Sequence, residues 1–199
     1  MPPPSDIPVG VEVADVGGVR RWRVAPSSDV VLLDEVADIV NGRTITKAKT
    51  KLGHVQVIAG GRTPAYLHNE SNTDGGCFTI SKSGAYSGYV WWHEDPIWAS
   101  DCMIVRSCDE DAYLTFYLFL CMKAKQNEVY ERQQGTGQPH VYREHIANFP
   151  IPKLTLAEQW DKVGKSQELY RQRLDIEKQQ ESELKKSVDS MKSIYEGES

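Results

Sequence analysis

Apolar residues are spaced in two different ways along this chain, and the change of spacing divides it. From Val30 to Val40, "VVLLDEVADIV" sets apolar side chains at helical intervals and stops at Asn41-Gly42, which predicts a short helix ending in a turn. Between His54 and Ser107 four short runs follow, "HVQVIAG", "CFTIS", "GYVWW" and "DCMIVRS", all rich in β-branched and aromatic residues. Gly60-Gly61, Gly75-Gly76, Gly84 and Gly88 punctuate them, so they read as strands of a mixed sheet or small barrel. The acids of "CDED" suit a helix start, and "AYLTFYLFLCMKAK", Ala112 to Lys125, reads as a largely buried helix with cations in its last turn. "YREHIANF" reads as a short helix, and "FPIPKL" as the strand and exit that end the globule.

Beyond Leu154 the pattern changes to a heptad. Leu156, Trp160, Val163, Gln167, Tyr170, Leu174, Glu177, Glu181, Leu184, Val188, Met191 and Tyr195 alternate steps of four and three, and nine of these twelve positions are apolar. Such a stripe predicts a coiled-coil helix of about 40 residues, or about 60 Å at 1.5 Å per residue. One narrow stripe cannot be satisfied alone, so the helix calls for a partner: a second copy, another subunit, or more of a larger protein. A single helix folded back on its own globule is the bland alternative, and it would want a wider stripe. Gln167, Glu177 and Glu181 weaken the seam while fixing its register. The expected organisation is a Pro-, Gly- and Val-rich arm or junction over 1–28, carrying "RRWR", a globule over 29–154, and a long helix over 155–199. The fold class expected is α+β.

Composition narrows the function classes. With 199 residues, 40% hydrophobic and 26% charged, and no apolar run near the roughly 18 residues of a spanning helix, the chain reads as globular, with no membrane partner. "MPPPSDIPVG" lacks a basic-then-apolar leader pattern, so a cytoplasmic location is expected. Cys77, Cys102, Cys108 and Cys121 form no C-x-x-C pair and are expected as reduced, mostly buried thiols, with no metal. Charge is unevenly spread: the segment from Asn41 to Asn69 holds Arg43, Lys47, Lys49, Lys51 and Arg62 without an acid, so it carries +5 against a chain total of -5. A basic patch on an acidic chain attracts phosphates on one side only.

Catalytic groups are harder to find. "NFPIP", Asn148 to Pro152, resembles the Asn-Pro-Pro-aromatic motif of adenine methyltransferases only loosely, since its second proline is displaced and its aromatic comes first. "GTG", Gly135 to Gly137, follows no apolar strand as a cofactor loop would. "HED" and "DED" offer carboxylates for a divalent cation, yet neither has a lysine-bearing strand partner, and "DED" is explained by a helix start. The chain is therefore expected to be no enzyme. Its loops suit recognition better: Lys and Arg for phosphates, with Asn, Gln, Thr, Ser, Tyr and His for base edges, on glycine-rich backbone. The expected DNA contacts are Arg43, Lys47, Lys49, Lys51, Arg62, Thr63, Tyr66, Ser81, Lys82, Ser83, Tyr86, Thr136, Gln138, His140 and Tyr142.

Three of these motifs carry a family resemblance. V-I-x-G-G-x-x-P at Val57 to Pro64, T-I-S-K-x-G at Thr79 to Gly84, and G-x-G-x-P-H from Gly135 leading through Ile151-Pro152 to Glu158-Gln159 occur in order before the long helix. From Val30 onward the chain resembles the target-recognition domain of DNA specificity subunits in type I restriction-modification systems. That resemblance implies an α/β globule reading one half of a bipartite DNA site, with long helices as a ruler between two such domains. It also implies a non-catalytic subunit that positions separate methyltransferase and endonuclease subunits, with S-adenosylmethionine bound by the methyltransferase and no cofactor in this chain. Complete subunits have two recognition domains and two helices, and this chain has one of each. It is thus expected to be a half-size subunit that pairs as a homodimer or with a second recognition half, or a recognition domain cut from a fused methyltransferase or restriction enzyme. A coiled-coil scaffold with a protein-binding head is the rival class.

Overall fold

The run "CFTIS" is buried at all five positions, and the globule is built outward from it. The computed structural model describes residues 11–16, 19–24, 29–135 and 137–196. In chain order these form β1 (Val11–Val16), β2 (Val19–Val24), β3 (Val30–Leu32), α1 (Leu33–Val36), β4 (Ala37–Asn41), β5 (Val55–Ile58), β6 (Tyr66–His68) and β7 (Cys77–Ser81). Then follow β8 (Val90–His93), β9 (Trp98–Ala99), β10 (Cys102–Ser107), α2 (Thr115–Ala124), α3 (Gln126–Glu131), α4 (Arg143–Ala147), β11 (Pro150–Pro152) and α5 (Leu156–Glu196). The class is α+β, as the pattern predicts, and the sheets are open.

An antiparallel sheet in the order β4-β10-β7-β8 holds the core. α2 lies over β7, β8 and β10, and six of its ten residues are buried, as expected of a helix apolar on most sides. Its Phe116 meets Trp92 of β8 nearly edge-on at 4.8 Å between centroids, and Phe119 sits 5.4 Å from Phe116 and 6.0 Å from Phe78 of β7. Such tilted and T-shaped pairs are the favoured aromatic geometries. A second sheet, β6-β5-β9, combines an antiparallel and a parallel pair.

The acids before α2 start it as expected, though three residues later than the pattern implied. The Glu110 carboxylate accepts from the Thr115 N–H at 3.2 Å and from the Thr115 hydroxyl. α3 follows at once after Lys125, and no periodic signal announced it. The stretch from Val30 to Val40 is not the predicted helix. Only Leu33–Val36 is helical; Val30–Leu32 pairs with β11, and Ala37–Asn41 pairs with β10. Long-range ladders outweigh the local period there, and Val30, Val31, Ile39 and Val40 are β-branched residues that suit a strand. In the N-terminal region, for which no regular element was expected, β1 and β2 pair as an antiparallel hairpin; 1–10, 17–18 and 25–28 lie outside the described residues.

The paired prolines of β11 fit because their ring nitrogens face away from β3. The Phe149 carbonyl accepts from Leu33 N–H at 2.9 Å and Lys153 N–H donates to the Asp29 carbonyl at 2.7 Å, so 149, 151 and 153 face the partner strand. The Pro152 carbonyl points the other way and accepts from the Tyr117 hydroxyl of α2 at 2.9 Å.

α5 starts with a capping box. Glu158 accepts from the Thr155 N–H at 2.8 Å and from its hydroxyl at 2.7 Å, and Glu158 N–H donates to that hydroxyl oxygen at 3.4 Å. Next to it, Gln159 is fully buried. Its Oε1 accepts from Leu114 N–H at 2.9 Å, and its Nε2 donates to the carbonyls of Ala112 at 2.8 Å and Leu154 at 3.0 Å. One side chain thereby satisfies main-chain groups at the start of α2 and at the end of the globule. The chain divides into compact units after Gln159. Along the seam Val163 is buried, Leu156 and Tyr170 are half-buried, and Trp160, Leu184, Val188, Met191 and Tyr195 are exposed. Leu174 lies within the helix, and its side chain is outside the described residues. Among the described residues no helix is long and apolar enough to cross a membrane.

Two stability predictions follow from the buried polar groups. Gln159→Leu keeps the volume and strands three main-chain partners, so the urea midpoint should fall by the equivalent of about 1–3 kcal/mol; an unchanged midpoint would remove the anchoring role. His93 is buried, its Nε2 lies 2.8 Å from the Thr79 hydroxyl, and burial lowers its pKa from 6.5 to about 3. A histidine held neutral contributes stability that is complete above the unfolded pKa and is lost as pH falls from 6.5 toward 3. Between pH 6.5 and 5, unfolding free energy should drop by up to about 1.4 kcal/mol per pH unit from this group, and His93→Gln should flatten that limb by one proton.

Candidate nucleic-acid interface

Two of the polar loops are laced together by main-chain hydrogen bonds, and a third packs closely against them. Where β7 ends, Ser81 N–H donates to the Tyr89 carbonyl at 3.1 Å and Gly88 N–H to the Ser81 carbonyl at 2.7 Å, which closes the 82–87 loop on itself. The 134–140 loop docks on it: Val141 N–H donates to the Lys82 carbonyl at 2.9 Å and Gly84 N–H to the Pro139 carbonyl at 3.0 Å. Gln134 and His140 exchange bonds of 2.9 and 2.8 Å, which pairs the two ends of "QGTGQPH" antiparallel. Gly60 brings in the 59–64 loop, since a Cβ there would stand 2.4 Å from the Ser83 carbonyl oxygen. Gly84, at φ +84°, and Gly135, at φ +106°, occupy the left-handed conformation that their turns require.

Side chains from these loops meet accordingly. Arg62 is exposed, with its guanidinium 5.2 Å from the Tyr86 ring centroid and 5.6 Å from that of Tyr89. The Lys123 ammonium also stands 4.1 Å from the Tyr89 ring centre. Tyr130 completes the group: burial pushes its hydroxyl pKa up, opposed by the charge of Arg62. The Ser83 hydroxyl donates to the Asp101 carboxylate, and Lys82 N–H donates to the Asp101 carbonyl at 3.1 Å. His140 and Tyr142 stack at 5.8 Å with ring planes 10° apart, and Tyr142 is exposed.

The basic segment adjoins the same corner. Arg43 N–H donates to the Ala99 carbonyl at 2.9 Å, and its guanidinium lies 4.5 Å over the Trp98 ring, whose Nε1–H donates to the Arg43 carbonyl at 2.8 Å. Ile45 N–H reaches the Ser100 hydroxyl at 3.1 Å, and Lys51 N–H reaches His68 Nδ1 at 3.0 Å. Ala99 to Asp101 therefore stands between the Arg43 strand exit and the Lys82–Ser83 turn. Lys47 and Lys49 project from a single 3-10 turn, and they and Lys51 are exposed. Cation–ring contacts of this kind contribute about 0.5–1 kcal/mol at exposed sites.

Several expected contacts sit differently. Ser81 is buried and its hydroxyl donates to the Ala59 carbonyl at 3.3 Å, so it lies beneath the loops rather than on them. Tyr66 is half-buried in β6, Thr63 and Gln138 are exposed, and Thr136 lies outside the described residues. Trp98, Tyr89, Tyr130 and Asp101 also belong to this corner, and nothing in their local sequence marks them beyond their being aromatic or acidic. His93 of "HED" is spent in the core, and Glu110 of "DED" caps α2. Among the described residues no three His, Cys, Asp or Glu side chains cluster as metal ligands. Burial pushes the thiols of Cys77 and Cys121 up to about 11 and that of Cys102 up to about 12, which makes them inert, whereas Cys108 is exposed.

The type I restriction modification DNA specificity domain model matches residues 27–186. The S subunit of a type I restriction-modification system from M. genitalium is similar in structure, with a TM-score of 0.65 and 16% identity over 73% of this chain and 39% of that one. The HsdS subunit from Thermoanaerobacter tengcongensis gives 0.53 and 19% over 85% and 40%, and a chain from a study of type I R-M complex assembly and conformational transition gives 0.55 and 17% over 88% and 42%. At these identities the likeness is one of fold. No curated protein matches. The chain spans about two fifths of the length of the solved chains it resembles.

Proposed function

Because the chain belongs to the family of type I restriction modification DNA specificity domains, we propose that it is the DNA-reading component of such a system, binding one half of a bipartite duplex site. The observation that carries this reading is that main-chain bonds tie the 82–87 loop to Pro139 and Val141, with the 59–64 loop packed against it at Gly60, beside a basic segment. A surface that must distinguish bases has to hold its side chains in place before DNA arrives, and main-chain bonds together with the close packing at Gly60 support that here. Lys47, Lys49 and Lys51 would supply phosphate attraction; Arg62, Lys82, Gln138, His140 and Tyr142 would face the grooves.

The reading extends to assembly. The exposed apolar residues of α5, among them Leu184, Val188 and Met191, would pair with a second recognition half, either another copy of this chain or an equivalent domain. Methyl transfer, with its S-adenosylmethionine, and strand cleavage would belong to separate methyltransferase and endonuclease subunits held by the pair.

Replacing Lys47, Lys49 and Lys51 together by Gln should weaken binding to all duplexes about equally and reduce the slope of log affinity against log salt by about three. Unchanged binding and slope would remove the basic segment from the interface. Analytical ultracentrifugation should give the mass of two chains, and Leu184→Glu with Val188→Glu should return it to one. A wild-type monomer at high concentration would rule out self-pairing.

A further inference from the structure

The arginines of the globule divide into two kinds. Arg106 spends its guanidinium on the carbonyls of Asp74, Gly75 and Gly76, Arg132 donates to the His145 carbonyl at 2.7 Å over the Phe149 ring, and Arg143 pairs with Asp34. The guanidinium groups of these three are spent within the globule. Arg62 and Arg43 are different: each lies over aromatic rings, and among the described residues neither side chain has a hydrogen bond or an ion pair. Their forks are held from beneath while their N–H donors remain unspent. Lys47, Lys49 and Lys51, in the same acid-free segment, have no ring beneath them among the described residues.

We infer that Arg62 and Arg43 are the guanine-reading residues of this chain, each aimed by the aromatic ring it rests on, with the lysines left to contact phosphates irrespective of sequence. The inference rests on the DNA-reading function proposed above and assigns the specificity within it. A phosphate can be held by a mobile point charge, which lysine supplies. Guanine offers O6 and N7 side by side in the major groove and rewards a planar fork arriving at one angle. An aromatic seat restricts the fork to a narrow set of orientations beforehand, so less freedom is lost on binding. Tyr86 and Trp98 are accordingly positioning residues, and neither needs to touch DNA.

The test starts from duplexes selected by the wild-type chain from a pool with a randomised core. The selected site should contain guanine at two or more positions. Arg62→Lys keeps the charge and loses the fork, so it should abolish preference at one guanine and weaken the selected site tenfold or more, with non-site duplex and salt slope unchanged. Arg43→Lys should do the same at a different guanine. Tyr86→Leu, an exposed change that leaves every proposed DNA-contacting charge in place, should relax the same guanine as Arg62→Lys. Arg62→Gln removes the charge; if it weakened site and non-site duplex equally, with a slope reduced by about one, Arg62 would be a phosphate contact and the inference would be overturned. Selection of a site without guanine, or an unaltered preference in both lysine variants, would overturn it while leaving the DNA-reading function intact. A wild-type chain that selects no duplex at any salt would remove that function and this inference with it.

Discussion

Around the end of β7 the main chain is bonded on every side. Ser81 is tied to Tyr89 and Gly88, Lys82 to Asp101 and Val141, and Gly84 to Pro139, while the Ser83 carbonyl sits too close to Gly60 for any side chain there. Much of the candidate surface depends on this knot. Loop side chains on a solvated backbone sample many orientations, and the cost of ordering them falls on binding. Here that cost is met during folding, because loops from three separate parts of the sequence are fixed by N–H to carbonyl bonds that also leave few polar groups stranded. The glycines matter as permissive backbone at contact points, Gly60 for closeness and Gly84 for its left-handed turn.

Strand β7 was legible in the sequence because it is short, wholly apolar apart from Thr79 and Ser81, and bounded by glycines. β8 and β10 could be read for similar reasons, and α5 because a heptad over 41 residues leaves little ambiguity. Val30 to Val40 is ambiguous in the sequence. Its residues satisfy a 3.6 period as well as they satisfy two strands, and what decides is pairing with Pro150–Pro152 and with Cys102–Ser107, far away in the chain. β6 and β9, three and two residues long, carry too few positions to show any period. The seats of the arginines were invisible for the same non-local reason: Trp98 lies 55 residues beyond Arg43. Their charges were legible early, as a run of cations without acids, while the rings that orient them appear only once the chain is folded.

The acidic total of the chain and its basic segment are compatible because the two signs are kept apart. Several acids of the globule are engaged in structure: Glu35 accepts from Leu32 N–H, Glu110 caps α2, and Asp101 holds Ser83. In α5 the acids alternate with lysines and arginines, for example Arg173 with Glu177 and Lys186 with Glu183, in exposed pairs of small individual effect. The cations from Arg43 to Arg62 are therefore left as the uncompensated charge, and screening confines their attraction to phosphates brought within about 10 Å.

The first turn of α5 is secured within the globule. Thr155 and Glu158 satisfy each other at the N-terminus, and Gln159 is bonded to three main-chain groups, so the helix has a fixed beginning before any partner arrives. Starting a helix is its costly step, and a nucleated end lets the following turns form at the expense of one residue each. Beyond that point the balance changes. From Leu184 to Tyr195 the apolar residues are exposed and the exposed ion pairs add little, so the distal turns have little but helix propensity in their favour. A partner helix laid on that stripe would therefore add most of its stability at the distal end, and loss of the partner should loosen α5 from its C-terminal turns inward while Gln159 and the loops around β7 stay as they are.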